Sequence, residues 1–227
     1  MNIISQATFV LVGLCVFNYT INALLLFITC LFITHSRGRI TTNAFKMFLF
    51  DQIITTPLTT ILDLPFALLH LNLYSKLTHN LSPVLTSLVT LFVYLMFIET
   101  SSYWLHRYQH RMRGTILYRA HLQHHQNCKP TVLDAFDGHP IDNFVRMLPV
   151  HIFPFLITTN VYLYIFMYLL LITWNILIHD GIRLDFHNLI QDTQQHNWHH
   201  SHTSYNYGLF TTIWDRIMGT DFRKKLY

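Results

Sequence analysis

The chain reads as an all-α protein, a multi-span helical membrane protein with a histidine-rich metal-binding cap on one side. Three observations lead there. The 227 residues are 52% apolar and 15% aromatic but only 11% charged, whereas soluble domains carry about 25% charge. The charge is uneven, since the first 104 residues hold 7 of the 26 Asp, Glu, Lys and Arg. Of the 16 histidines, 13 stand at or after His106, so one ligand type dominates the polar half.

Taken in order, the run from Phe9 to Ile33 is 25 residues without a charge, more than the roughly 20 that cross a bilayer as helix. It is the first span, spans here running about 9–33, 44–73, 81–98 and a hairpin 144–178. The second, Ala44 to Leu73, is interrupted by Asp51, Pro57, Asp63 and Pro65 and reads as a kinked span or a pair of short interfacial helices. The third, Leu81 to Ile98, is 18 residues and stops at Glu99. The hairpin has two apolar arms, Met147 to Ile157 and Val161 to Ile178, parted by Thr158, Thr159 and Asn160. The whole chain, 1–227, reads as one domain, with histidine clusters in 106–139 and 179–200.

Basic residues fix the expected orientation. Arg37, Arg39 and Lys46 follow the first span and place that loop in the cytosol. Three crossings bring Arg107, Arg111, Arg113 and Arg119 back to the same side, and the hairpin returns the C-terminus there. The net charge of +4 comes without an extended Lys/Arg tract, so nucleic acid is set aside as a partner. Cys15, Cys30 and Cys128 form no C-x-x-C pair, which excludes a disulfide framework and a zinc ribbon.

The histidines fall into spaced groups. His106 and His110 lie one helical turn apart on one face. His121, His124 and His125 make H-x-x-H-H, and His196, His199 and His200 repeat that spacing. Rings at i, i+3 and i+4 fan across about a third of a helix surface, so neighbours in sequence reach different ions. Eight imidazoles exceed one centre. Without cysteine among these groups, a closed structural zinc site is disfavoured and a dinuclear redox site of imidazole-loving metals is expected. His139 before Pro140 and His179 before Asp180 stand where they complete the shell, with Asp137 or Asp180 to hold a ring N–H.

These residues carry a resemblance. The series His106-Arg-Tyr-Gln-His110, His121-Leu-Gln-His-His125, Gly138-His139-Pro-Ile-Asp-Asn-Phe144, Trp174 to Gly181, and His196-Asn-Trp-His-His200 followed by Asn206 to Thr220 resembles the fatty acid hydroxylase/sterol desaturase superfamily. Within it the likeness is to the C-5 sterol desaturases. It covers Ser102 to Thr220 and includes Leu148 to Phe155. The resemblance implies a non-heme di-iron centre facing the cytosol, O2 as oxidant, electrons from cytochrome b5 and an NAD(P)H reductase, and a sterol or acyl lipid taken from the bilayer. The eight box histidines would be catalytic ligands, with His139 and His179 added as metal ligands. Two positions depart from the pattern. Leu122 stands where the second box usually has lysine, and Phe136 where a further histidine is usual.

Other polar residues receive quieter roles. His35, His70, His79 and His151 read as caps or interfacial residues, and His187 and His202 as bystanders of the boxes. Trp214, Asp215 and Arg216 read as an ion pair with an aromatic anchor, Tyr205 and Tyr207 as turn packing beside Gly208, and Glu99 as interfacial. A hydroxylase of the same superfamily is the rival within this class. A metal transporter would need its ligands inside the spans, and a vestigial binding protein would have lost a box histidine. The ending Lys224-Lys225-Leu226-Tyr227 resembles the dilysine address of the endoplasmic reticulum membrane.

Overall fold

The computed structural model describes residues 83–135, 138–157, 159, 161–179 and 189–225, with scattered helical positions between 12 and 61. Most of the first two expected spans, and Asp137, Asp180, His35, His70, His79 and His187, lie outside the described residues. Within them there are six α-helices, two 3-10 turns and no strand beyond one isolated bridge between Ile190 and Thr211.

Helix α1, Pro83–Arg111, opens on proline, whose missing N–H is no loss in a first turn, and runs 29 residues. The charge-free run stops at Glu99, but the helix does not, because no glycine or proline breaks it before Gly114. That residue has φ 88°, a conformation that glycine adopts without strain. At 1.5 Å per residue α1 is about 43 Å long, so the expected span 81–98 and the first histidine pair share one rod. Helix α2, Ile116–His124, is started by Thr115, whose side chain accepts from Tyr118 N.

Helix α3, Pro140–Leu156, and helix α4, Val161–His179, form the expected hairpin, broken at the C-cap Ile157. The arms are unequal. Two described helices are long and apolar enough to cross a membrane, Val84–Arg111 and Tyr162–His179. The first arm starts earlier than expected and measures about 25 Å for its 17 residues, short of a straight crossing of a roughly 30 Å core. It also holds Pro149, Pro154 and buried Asp142, Asn143 and His151. Ahead of the apolar run from Met147, the helix thus opens with a polar first turn facing inward.

Proline 154 cannot donate to the Val150 carbonyl one turn back. Tyr94 of α1 supplies the missing donor, its hydroxyl lying 2.6 Å from that oxygen, while its ring stacks on Phe153 at 4.0 Å and 10°. One residue thus satisfies the broken backbone and packs the seam. Ile98, Val150, Met167, Leu171 and Ile176 extend this core across α1, α3 and α4. His151 sits inside it, with Nδ1 2.9 Å from the Tyr164 hydroxyl, so it is a core residue and not an interfacial one. The outer face of α1 presents Val84, Leu85, Leu88, Val89 and Phe92, the last 65% exposed, an apolar stripe suited to lipid.

Chain direction puts the chemistry at one end. Helix α1 ends in His106 and His110, α3 starts there and runs away, and α4 returns with His179 at its last residue. Helix α5, Thr193–Ser201, follows, opened by a capping box in which Asp192 accepts from Gln195 N and Gln195 from Asp192 N. Helix α6, Ile213–Ile217, closes the cap, and Phe222–Lys225 form the final 3-10 turn.

Candidate metal centre

Nine imidazoles converge in two adjacent nests. His106, His110, His121, His125 and His199 form the first, and His124, His179, His196 and His200 the second, ligand atoms within each lying no more than 4.8 Å apart. The neighbouring pairs His124/His125 and His199/His200 are split between the nests, as the i, i+3, i+4 fan requires. The nests touch, with His125 and His200 ring centroids 4.6 Å apart.

Hydrogen bonds decide which nitrogen faces inward. His106 Nδ1 is 3.1 Å from Tyr207 O and His199 Nδ1 2.6 Å from Tyr205 O. His179 Nδ1 is 2.6 Å from Asn175 O and His200 Nδ1 2.9 Å from Asn127 O. A carbonyl only accepts, so each of these rings carries its proton on Nδ1 and turns an Nε2 lone pair into the nest. His121 does the same through Asp142 Oδ1 at 2.8 Å.

In the first nest the lone pairs of His106, His121 and His199 therefore meet. His110 and His125 have one Nε2–H each to offer, so at least one buried acceptor stays unsatisfied without a cation. That acceptor is His106 Nε2, which has no partner. Around the ring, His110–His199, His110–His121, His121–His125 and His125–His199 Nε2 separations are 3.2, 2.9, 3.0 and 3.2 Å. Metal–imidazole bonds of about 2.1 Å at right angles give edges of about 3.0 Å, against about 3.4 Å for a tetrahedron. The residues fit a metal of high coordination number with imidazole ligands, which iron satisfies.

Burial, followed by neighbouring rings, holds His125, His196 and His199 well below the ordinary histidine range, and burial followed by Arg146 and neighbouring rings does the same for His124. Burial lowers His200 to about 4. Burial thus favours the neutral form of these rings, the form that binds metal.

The supporting residues were not all expected. Asp142, fully buried, accepts from His121 and from Gln109 Nε2 at 2.7 Å and faces Arg146 Nε at 3.2 Å. Burial alone would raise this carboxyl, but His121 and Arg146 hold it well below the usual carboxylate range. It holds a ring N–H in the way expected of Asp137 or Asp180, both of which lie outside the described residues. Glu99 is not interfacial; it is buried and accepts from Phe210 N, Thr211 N and the Thr211 hydroxyl at 2.9, 3.0 and 2.6 Å. Asp215 makes no ion pair with Arg216, which lies 3.8 Å from Asp221 instead. Asp215 accepts from Tyr207 N, Gly208 N and the Thr220 hydroxyl, and burial pushes it up to about 6. Trp214 donates to Thr100 Oγ1 at 3.2 Å.

His139 enters neither nest. As N-cap of α3 its Nδ1 accepts from Ile141 N at 3.2 Å, which corrects its expected place in the shell. His202 is exposed, its ring 4.3 Å from Phe222 and tilted by 32°. Tyr207 is more than turn packing, its ring lying 5.5 to 5.6 Å from His106, His110 and His199.

A family model described as fatty acid hydroxylase matches residues 91–220, a window that holds all nine nest histidines. The chain belongs to the fatty acid hydroxylase family. The Delta(7)-sterol 5(6)-desaturase of Candida albicans is 33% identical over 175 residues, 74% of this chain and 44% of that protein. Human lathosterol oxidase is 34% identical over 172 residues, 72% of this chain and 56% of that protein. The Delta(7)-sterol 5(6)-desaturase of Saccharomyces cerevisiae is 31% identical over 169 residues, 72% and 46% of the two chains. The chain spans about half the length of the curated relatives it matches. No solved structure matches it.

Proposed function

We propose that this chain is a membrane sterol desaturase that introduces the C-5 double bond, with two irons, O2 and electrons from cytochrome b5 and an NAD(P)H reductase. The observation that carries the reading is the pair of adjacent nests of neutral, inward-turned imidazoles. His106, His110, His121, His125 and His199 would hold one iron, and His124, His179, His196 and His200 the other. When bound, the iron pair supplies the oxidising power to remove hydrogen from an unactivated C–H bond, a task beyond any side-chain base. Two hydrogens leave the sterol and, with two electrons and two further protons, reduce O2 to two waters.

The chain's own residues set the conditions for this. The Nδ1–H bonds to backbone carbonyls and to Asp142 keep Nε2 aimed inward. Burial keeps the rings neutral, and the apolar stripe on α1 meets the lipid in which a sterol is dissolved. The nests lie at the ends of the two long helices, so the reacting carbon need only reach the membrane boundary. We read residues 1–227 as one multi-span domain of the endoplasmic reticulum membrane, with the C-terminus and the nests in the cytosol. A C-terminal tag accessible with only the plasma membrane permeabilised would support this orientation.

Lipid profiling tests the activity. Expressed in cells lacking C-5 sterol desaturase, the chain should restore the Δ5,7 sterol. A new hydroxylated sterol or acyl chain would assign the hydroxylase reading, and an unchanged profile with iron bound would remove the sterol reading.

A further inference from the structure

We propose that Asn206 is a positioning residue that sets the ligand geometry of the first nest through the carbonyls on either side of it, and that the second nest does not depend on it. This rests on the two-metal reading above. His199 donates to the Tyr205 carbonyl and His106 to the Tyr207 carbonyl. The two rings come from helices α5 and α1, yet both are turned by carbonyls of the two residues on either side of Asn206. Asn206 has φ 55° and is the non-glycine residue with positive φ among those described, a conformation that Asn tolerates better than most side chains.

Its polar groups are committed. Asn206 N donates to Thr220 O at 2.8 Å, Nδ2 to Gln195 O at 3.1 Å, and Oδ1 accepts from Phe222 N at 3.0 Å. These tie the turn to the start of α5 and to the chain's last turn. Asp215 holds Tyr207 N and Gly208 N, and Glu99 holds Phe210 N and Thr211 N. Gly208 leaves no slack, since a Cβ there would lie 2.2 Å from Thr211 O and 2.9 Å from Asp215 Oδ2. The loop is thus a fixed template with two of its carbonyls spent on first-nest rings.

The second nest finds its orientation elsewhere. His179 uses Asn175 O and His200 uses Asn127 O, neither in this loop. Gln195 touches Asn206 beside His196, but its own place is set by the capping box with Asp192. Loss of Asn206 should therefore cost one metal and spare the other.

The test is an anaerobic titration of the purified full chain in detergent with Co(II), whose visible absorption distinguishes five-nitrogen from four-nitrogen surroundings, with far-ultraviolet dichroism to verify folding. Wild type should take two ions. In Asn206→Ala the five-nitrogen site should weaken by about 10- to 100-fold, the range of orienting partners of metal ligands, with the four-nitrogen site unchanged. Asn206→Gly keeps the backbone conformation accessible and loses the side-chain bonds; it should show the same selective loss, and it decides the matter if the alanine variant does not fold. Equal affinity at both sites in the folded variants, or equal weakening of both, overturns the role of Asn206. Wild type binding fewer than two ions overturns the two-metal reading itself.

Discussion

Replacing Asp142 by Asn changes one atom and tests the carboxylate behind His121. In the native site Oδ1 takes two donors, His121 Nδ1 at 2.8 Å and Gln109 Nε2 at 2.7 Å, and Oδ2 faces Arg146 Nε at 3.2 Å. Asparagine offers one oxygen for these three donors, so either rotamer turns its NH2 group against a donor. A buried hydrogen bond to a charged group contributes about 1.5 to 3 kcal/mol, and leaving a donor unsatisfied costs about 1 to 3 kcal/mol. Halving the charge-assisted bonds and stranding one donor gives a loss of about 2 to 4 kcal/mol in stability. Metal affinity of the first nest should fall about 10- to 100-fold. Metal analysis of purified Asp142→Asn and its melting temperature in detergent measure both quantities. Wild-type metal content together with an unchanged melting temperature would refute the argument that Asp142 orients the nest.

Other substitutions separate ligands from neighbours. His124→Ala and His199→Ala should abolish sterol product while the protein still inserts in membranes, whereas His202→Ala, exposed beside Phe222, should keep full activity; equal loss in all three would undo that division. Gly208→Ala should destabilise the cap by about 3 kcal/mol, at the upper end for overpacking, because the Thr211 carbonyl cannot retreat while Glu99 holds that residue; a wild-type melting temperature would contradict it. For the metal-free chain, the folded rings resist protons that the unfolded chain binds below about pH 6.5. Stability should therefore fall as pH drops through 6.5 toward His200's value of about 4, by about 1 kcal/mol per buried ring between pH 7.5 and 5.5; a melting temperature flat across that window would count against neutral, buried nests.

The two histidine nests were legible in the sequence because metal chemistry is written in residue type and helical spacing. Nine of the ten named histidines meet in two nests, and His139 stands outside them as the N-cap of α3. The orienting groups were not legible, since they depend on the approach of distant segments: Glu99 meets Thr211, and His106 meets the Tyr207 carbonyl. A weaker signal existed. With 11 Asp and Glu in 227 residues, an acid within an apolar helix is costly and calls for a buried partner, which flags Glu99 and Asp142 without naming what they hold. The extension of α1 past Glu99 was missed for a related reason, because a charge ends a hydrophobic run but only a capping residue such as Gly114 ends a helix.

The most direct measurement is the iron content of the purified chain combined with X-ray absorption at the iron edge. The account predicts two irons per chain in a shell of nitrogen ligands at about 2.1 Å, both retained at neutral pH and with one lost in His199→Ala. A single iron per chain, or none with zinc at four ligands in its place, would contradict a two-metal oxidising centre.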